Sequence, residues 1–312
     1  MIKYLKYEHI NKEKWDACVD QAFNGSIYVY SWYLDVVCEE WEGLVEGDYD
    51  RVFPINFKRK WGIDIIYQPF FTQQLGVVSK TELSPEVIDA FLKAIPKKYK
   101  VLDLNLNTHN SPGLAGFSYT PQVNYELDLI SDYEKLRENY TSNTKRNLAK
   151  AEKEGLSMVK GIKPDGVIDL FRENRGKGIK VLREENYRRL KRLIYTAIYK
   201  GLANVYGVYD SDNNLCAGAI FLESNRKAVF IFSGLSSAGR EKRAMFFLID
   251  NYIRGNANKH LTLDFDGSNN EALARFYAGF GSTRITFPRI HRNTLPVHLK
   301  WAYTIYRYLR SH

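Results

Sequence analysis

The sequence predicts a mixed α/β (α+β) protein of two domains, each a mixed sheet flanked by helices. Length is the first observation: 312 residues suffice for two cores of ordinary size, and 22 Tyr, 17 Phe and 5 Trp supply them. The second is an order of elements, strands then helix then strand, that occurs twice about 160 residues apart. The third is a charge split. Residues 1–135 hold 14 Lys and Arg against 20 Asp and Glu, whereas 136–312 hold 31 against 16, so the halves carry −6 and +15. A boundary near 130–140 divides the chain into 1–135 and 136–312. A second half this basic suits an anionic partner: nucleic acid, a nucleotide-linked substrate, coenzyme A or an anionic membrane surface. A merely basic surface is the plainer reading.

In the first half, "RVFPINFKRKWGIDIIYQPFF" from Arg51 reads as two strands joined by a turn. In "SPEVIDAFLKAIP", Ser84 is placed to cap a helix, Pro85 opens it, and Val87, Ile88, Phe91, Leu92 and Ile95 share one face. "KVLDLNLN" follows as a strand in which Leu102, Leu104 and Leu106 alternate with polar residues. The second half opens with a short helix, "NTKRNLAKAEKEG", capped by Thr141, Ser142 or Asn143 and closed by Gly155. "LANVYGVYDSDNNLCAGAIFLESNRKAVFIFSGL" reads as a three-stranded meander, "EKRAMFFLIDNYIRGNAN" as a helix and "LTLDFDGS" as a strand. In that strand Leu261, Leu263 and Phe265 face one way, and Asp264 and Asp266 the other. A helix from about Asn270 to Ala278, a Gly-containing break and a further strand complete the unit.

The charged opening and the absence of an 18-residue apolar run predict a soluble, cytoplasmic protein. Cys18, Cys38 and Cys216 are scattered and outside any CxxC pair, which suits reduced thiols and neither disulfides nor zinc. His109, His260, His291 and His298 lack triad or metal spacing, so no metal is expected.

This order of elements is similar to the GNAT acyltransferase fold, with Tyr277 and Gly281 at the family's Tyr-x-x-x-Gly spacing. The tandem arrangement, the basic 143–155 helix and "DFDGSNNEALARFYAGFG" together resemble the Fem (FemABX-like) family of non-ribosomal peptidyltransferases. Arg146, Lys150, Ala151, Glu152, Lys153 and Gly155 carry the most specific part of that likeness. The resemblance implies two GNAT-like domains. It also implies transfer of an aminoacyl group from aminoacyl-tRNA to an amine of a peptidoglycan precursor, without a cofactor. Where GNAT enzymes place a pyrophosphate loop, "GREKRAMFF" keeps Arg240 and Arg243 but lacks the glycines after them. That departure argues against the alternative, an N-acyltransferase using acetyl-CoA or another acyl-CoA.

Candidate site residues follow, each with a plainer reading. Lys145, Arg146 and Lys150 suit phosphate binding, or form a solvated helix face. Arg188, Arg189, Lys191 and Arg192 suit an RNA backbone, or an exposed face. Asp264 and Asp266 can take a proton from an attacking amine, or cap the next helix or pair with basic neighbours. Tyr277 can protonate a leaving group, or fill the core. Gln73 and Gln74, beside Phe70 and Phe71, suit peptide or sugar recognition, or lie in a surface loop. The segment "LPVHLKWAYTIYRYLRSH" suits packing against its domain, with peripheral membrane contact as the alternative. A binding protein without catalysis is the remaining class, because a fold does not guarantee an activity.

Overall fold

A computed structural model describes residues 1–113, 117–179, 182–267 and 269–301. The chain divides into two compact units. The first comprises Met1–Gln122 together with the described residues from Thr286 onward, and the second Val123–Ile285. This differs from a cut at 135/136. The physical reason is register: Arg289–Asn293 pair antiparallel with Val101–Asn105, so the last strand adds to the first unit's sheet. Periodicity marks a strand but not the sheet that accepts it.

In the first unit the strands run Ile2–Leu5, Glu40–Glu46, Arg51–Lys60, Ile63–Ile66, Tyr99–Asn105 and Thr283–Asn293 across the sheet. The expected turn between Arg51–Lys60 and Ile63–Ile66 is made by Trp61 and Gly62, both at positive φ, and the two strands pair antiparallel. Ile63–Ile66 and Tyr99–Asn105 are parallel neighbours, which requires a crossover. The helix Pro85–Ala94 makes it, burying Ile88, Phe91 and Leu92 as its apolar face predicts. Ser84 stands at the cap position without a side-chain cap bond.

The second unit uses the same device. Its sheet runs Ser157–Lys160, Ala203–Tyr209, Leu215–Ser224, Lys227–Leu235, Thr262–Asp264 and then Glu126–Asp128 of the Ser118–Asp128 strand. The meander is present, with Asn225 and Arg226 at positive φ in its tight turn. Lys227–Leu235 and Thr262–Asp264 are parallel, joined through the helix Ala244–Asn256. That helix starts three residues later than "EKRAMFF" suggests. A short helix, Ser237–Glu241, ends first, and Arg243 at φ 60° in the left-handed region breaks the chain between them. The core beneath is aromatic: Phe221 stacks on Tyr252 at 3.7 Å, and Phe265 on Tyr277 at 4.7 Å.

Among the described residues no helix is long and apolar enough to cross a membrane. Residues 302–312 of the apolar, basic tail lie outside the described residues.

Candidate functional site

The second unit brings Asp264, Asp266 and Tyr277 to the end of Thr262–Asp264 and the helix Glu271–Ala278. Asn270 caps that helix, accepting from the backbone N–H groups of Ala272 and Leu273. Its far end is a meeting point. The N–H of Thr141, cap of the basic helix Ser142–Ala151, donates to the carbonyl of Gly279 at 3.0 Å. A side chain at Gly279 would place its Cβ 2.4 Å from Thr144 Oγ1, so any larger residue must push that hydroxyl aside. Phe246, in the first turn of Ala244–Asn256, packs on Phe276 and Phe280 at 4.9 and 6.0 Å. The starts of two helices, one carrying Lys145 and Arg146 and the other following Arg240 and Arg243, therefore converge on residues 276–280.

Lys145, Arg146 and Lys150 are exposed, while Thr144, Leu148 and Ala151 anchor the helix. Lys145 Nζ donates to the Glu138 carbonyl at 2.9 Å. Arg146 and Lys150 form no ion pair or side-chain hydrogen bond among the described residues, which leaves their charges available to an anion. Arg243 Nη1 donates to the Arg240 carbonyl at 2.5 Å, and Arg240 is exposed.

The two aspartates part company. Asp264 keeps the strand and is 1% exposed, where the alternation placed it on a polar face. It faces a buried charge cluster. Its Oδ1 accepts from Asn124 Nδ2 and from the N–H of Asp266, both at 2.8 Å, and its Oδ2 lies 3.5 Å from Lys227 Nζ. Lys227 also holds Glu126 Oε1 at 2.5 Å, and Glu126 stands directly opposite Asp264 in the ladder. Burial opposes the charge of Lys227, but Asp264 and Glu126 outweigh it and hold its pKa above the ordinary lysine value. Burial raises Glu126 above the usual carboxylate range, with Asp264 adding to the rise and Lys227 opposing it. Asp264 thus braces the strand end and does not meet solvent. Asp266, two residues on, leaves the strand at φ 54° with Gly267 following at 73°. The Asx-type bond from its N–H to Asp264 fixes that turn.

Tyr277 is 7% exposed and belongs to the core cluster through its ring. Burial, reinforced by Asp266 and opposed by Arg175, raises its pKa above the ordinary tyrosine value. Tyr277 therefore lies within electrostatic reach of Asp266 and of Arg175, with Phe265 stacked on its ring. Arg175 opens the short 3-10 turn Arg175–Gly178, the "RGKG" stretch, and is exposed. In the sequence Arg175 stands out only within a basic cluster whose "RGKG" is too short by itself to count as a phosphate-binding loop, and spacing gave no signal for Glu126 and Lys227. The alternation of Asn124, Glu126 and Asp128 in Ser118–Asp128 was the available hint.

On the helix Glu184–Tyr199, Arg188, Lys191 and Arg192 are exposed, with Lys191 paired to Asp165 and Arg189 to Glu185. In the first unit the glutamines hold backbone together. Gln74 is buried, donates to Gln73 Oε1 at 2.6 Å and accepts from the N–H of Thr108. The Gln73 carbonyl accepts from Asn105 Nδ2 at 2.9 Å. No group of His, Cys, Asp and Glu among the described residues has the arrangement of a metal site.

No protein-family model and no curated protein sequence matches the chain. Solved structures do. The fold is similar to that of FemX. That likeness has a TM-score of 0.66 at 13% identity, and covers 90% of this chain and 96% of FemX. L-PGS from Bacillus licheniformis matches with a TM-score of 0.52 at 11% identity, over 92% of this chain and 94% of its own. A conserved protein of unknown function from Bacteroides thetaiotaomicron gives 0.59 at 10% identity, over 94% and 100%. A mixed α/β fold of this kind, sheets flanked by helices, is what the comparisons establish.

Proposed function

We propose that the protein is an acyltransferase of the Fem type. It moves an aminoacyl group from aminoacyl-tRNA onto an amine of a cell-wall precursor or a related peptide or sugar acceptor. The observation that carries this reading is the likeness to FemX over nearly the whole of both chains. The second unit, read as a GNAT-like domain, supplies groups that suit the chemistry.

The amine nitrogen attacks the ester carbonyl, forming the C–N bond. The C–O bond to the ribose oxygen breaks, and its electron pair leaves with that oxygen. Asp266 takes the proton that the attacking nitrogen sheds. Tyr277, protonated at neutral pH as an ordinary tyrosine is, gives its proton to the departing oxygen. Arg175 and the unpaired Arg146 and Lys150 hold substrate phosphates or developing negative charge. Asp264 acts at one remove, by fixing the turn that presents Asp266.

An acyl-CoA donor remains the second reading, favoured by Arg240 and Arg243 beside the start of Ala244–Asn256 and disfavoured by the absence of glycines there. A test of catalysis as such is Asp266→Ala. An enzyme loses turnover by about 100-fold or more while keeping substrate affinity, in the range expected for a removed acid–base group. Unchanged turnover in this variant contradicts the assignment of Asp266.

A further inference from the structure

The first unit exposes two tryptophans on neighbouring elements. Trp61 is 64% exposed at the tip of the hairpin formed by Arg51–Lys60 and Ile63–Ile66. Lys60 and Ile63 are paired, so Trp61 and Gly62 make up the whole turn, at φ 50° and 73°. A two-residue turn with both φ positive favours Asn-Gly, and a bulky residue at its first position is an outlier. The turn itself therefore gives no reason for a tryptophan, and most of the ring's surface stays outside the core. Trp301 is 71% exposed, and Val297, one helical turn earlier on the same face of residues 297–301, is equally so. Leu295, two residues before that helical segment, packs with Ile63, Ile65 and Val101. The segment thus begins beside the hairpin.

Basic groups accompany these rings. Lys58, Arg59 and Lys60 run consecutively into the tip, within residues 1–135 that carry −6 overall. Lys60 Nζ lies 4.8 Å from the centre of the Trp61 ring, and Lys58 Nζ 4.3 Å from that of Tyr67. Arg59 pairs with Asp64, and Lys300 is exposed next to Trp301. Positive charge gathered on an otherwise acidic stretch complements an anionic surface. Exposed tryptophans suit a lipid–water interface, where rings enter the headgroup region and ammonium groups meet lipid phosphates. Val297 and Leu299, both exposed and aliphatic, favour acyl chains over nucleic-acid bases. We propose that the hairpin tip and residues 297–301 form a contact surface for an anionic lipid bilayer. This inference stands apart from the acyl-transfer reading, because it is tested by binding alone.

The experiment measures partition of the whole protein, by co-sedimentation, onto vesicles of phosphatidylglycerol mixed with phosphatidylcholine and onto phosphatidylcholine alone. We expect binding to the anionic vesicles that high salt weakens, with quenching of tryptophan fluorescence by brominated acyl chains. Trp61→Asn weakens partition by about tenfold while Tm stays level or rises, because Asn-Gly suits the turn. Lys58→Gln combined with Lys60→Gln weakens it by about 25-fold, roughly fivefold for each lysine. Lys93→Gln, on an exposed helical lysine, leaves it intact. Absence of partition onto anionic vesicles overturns the proposal, as does partition that survives both the tryptophan and the lysine changes. A fall in Tm for Trp61→Asn assigns the ring to holding the fold and overturns it too. Dimerisation in solution that Trp61→Asn abolishes, with no vesicle binding, assigns the surface to a second copy of the chain and overturns it likewise.

Discussion

Replacing Asp264 by alanine removes three connections at once. Asn124 is fully buried, so its Nδ2–H would lose its carboxylate acceptor. The N–H of Asp266 would lose its bond, and Lys227 would keep only Glu126. Each hydrogen bond to a charged acceptor contributes about 1.5–3 kcal/mol. Breaking a buried ion pair from one side costs about 3–5 kcal/mol in total. We therefore expect Asp264→Ala to lower unfolding free energy by about 3–5 kcal/mol, the two estimates overlapping and not adding. Asp264→Asn keeps an oxygen for Asn124 and Asp266 but loses the charge facing Lys227, so its loss is smaller, about 1–2 kcal/mol. Combining Asp264→Asn with Lys227→Met removes both charges of the pair and costs less than the sum of the single changes. Urea unfolding of the parent, the three single variants and the double variant measures these differences. A loss below about 1 kcal/mol for Asp264→Ala, or strict additivity in the cycle, refutes the bracing role.

Four further outcomes follow from the same geometry. The raised pKa of Glu126 means that the folded protein holds this proton more tightly than the unfolded chain, so its stabilising contribution is present in acid and fades as pH rises through the folded pKa. Glu126→Gln should accordingly lose less stability than the parent as pH rises from acid to neutrality, and parallel stability curves would contradict this. Gly279→Ala should cost about 1–3 kcal/mol by pressing on Thr144 Oγ1, and Thr144→Ala in the same chain should recover part of it in thermal melts. Tyr277→Phe removes a hydroxyl without a hydrogen-bond partner among the described residues, so stability should shift by less than about 1 kcal/mol while transfer activity falls. Arg146→Ala should leave the melting curve unchanged and weaken binding of a phosphate-bearing substrate, which fluorescence anisotropy can read.

The sequence made local elements legible where one period dominated. The alternation of Leu102, Leu104 and Leu106, the apolar face of Pro85–Ala94 and the turn at Trp61–Gly62 all carried their signal within a few residues. The recurrence of helix plus strand in both halves was readable for the same reason, whereas the parallel pairing of that strand was not. Long-range pairing was not. Thr283–Asn293 reads as a strand of the second half, but its partner is 186 residues away in sequence, as the Arg289–Asp103 pair shows. At the site, the type of residue was informative and its environment was not. Asp264 and Asp266 are indistinguishable as alternating carboxylates. Only the positive φ at Asp266 and the cluster of Asn124, Glu126 and Lys227 separate a braced, buried carboxylate from one beside Tyr277. Gln74 likewise looked available for a ligand, yet its amide is committed to Thr108 and Gln73.

The central claim is acyl transfer by the second unit, and its most direct measurement offers both donors in parallel. Purified protein receives labelled aminoacyl-tRNA or acetyl-CoA, with a nucleotide-linked muropeptide as acceptor, and products are read by mass. We expect an aminoacyl mass increment on the acceptor that disappears in Asp266→Ala and falls in Arg146→Ala. An acetyl increment in its place, or salt-dependent retention of tRNA with no product from either donor, would contradict it.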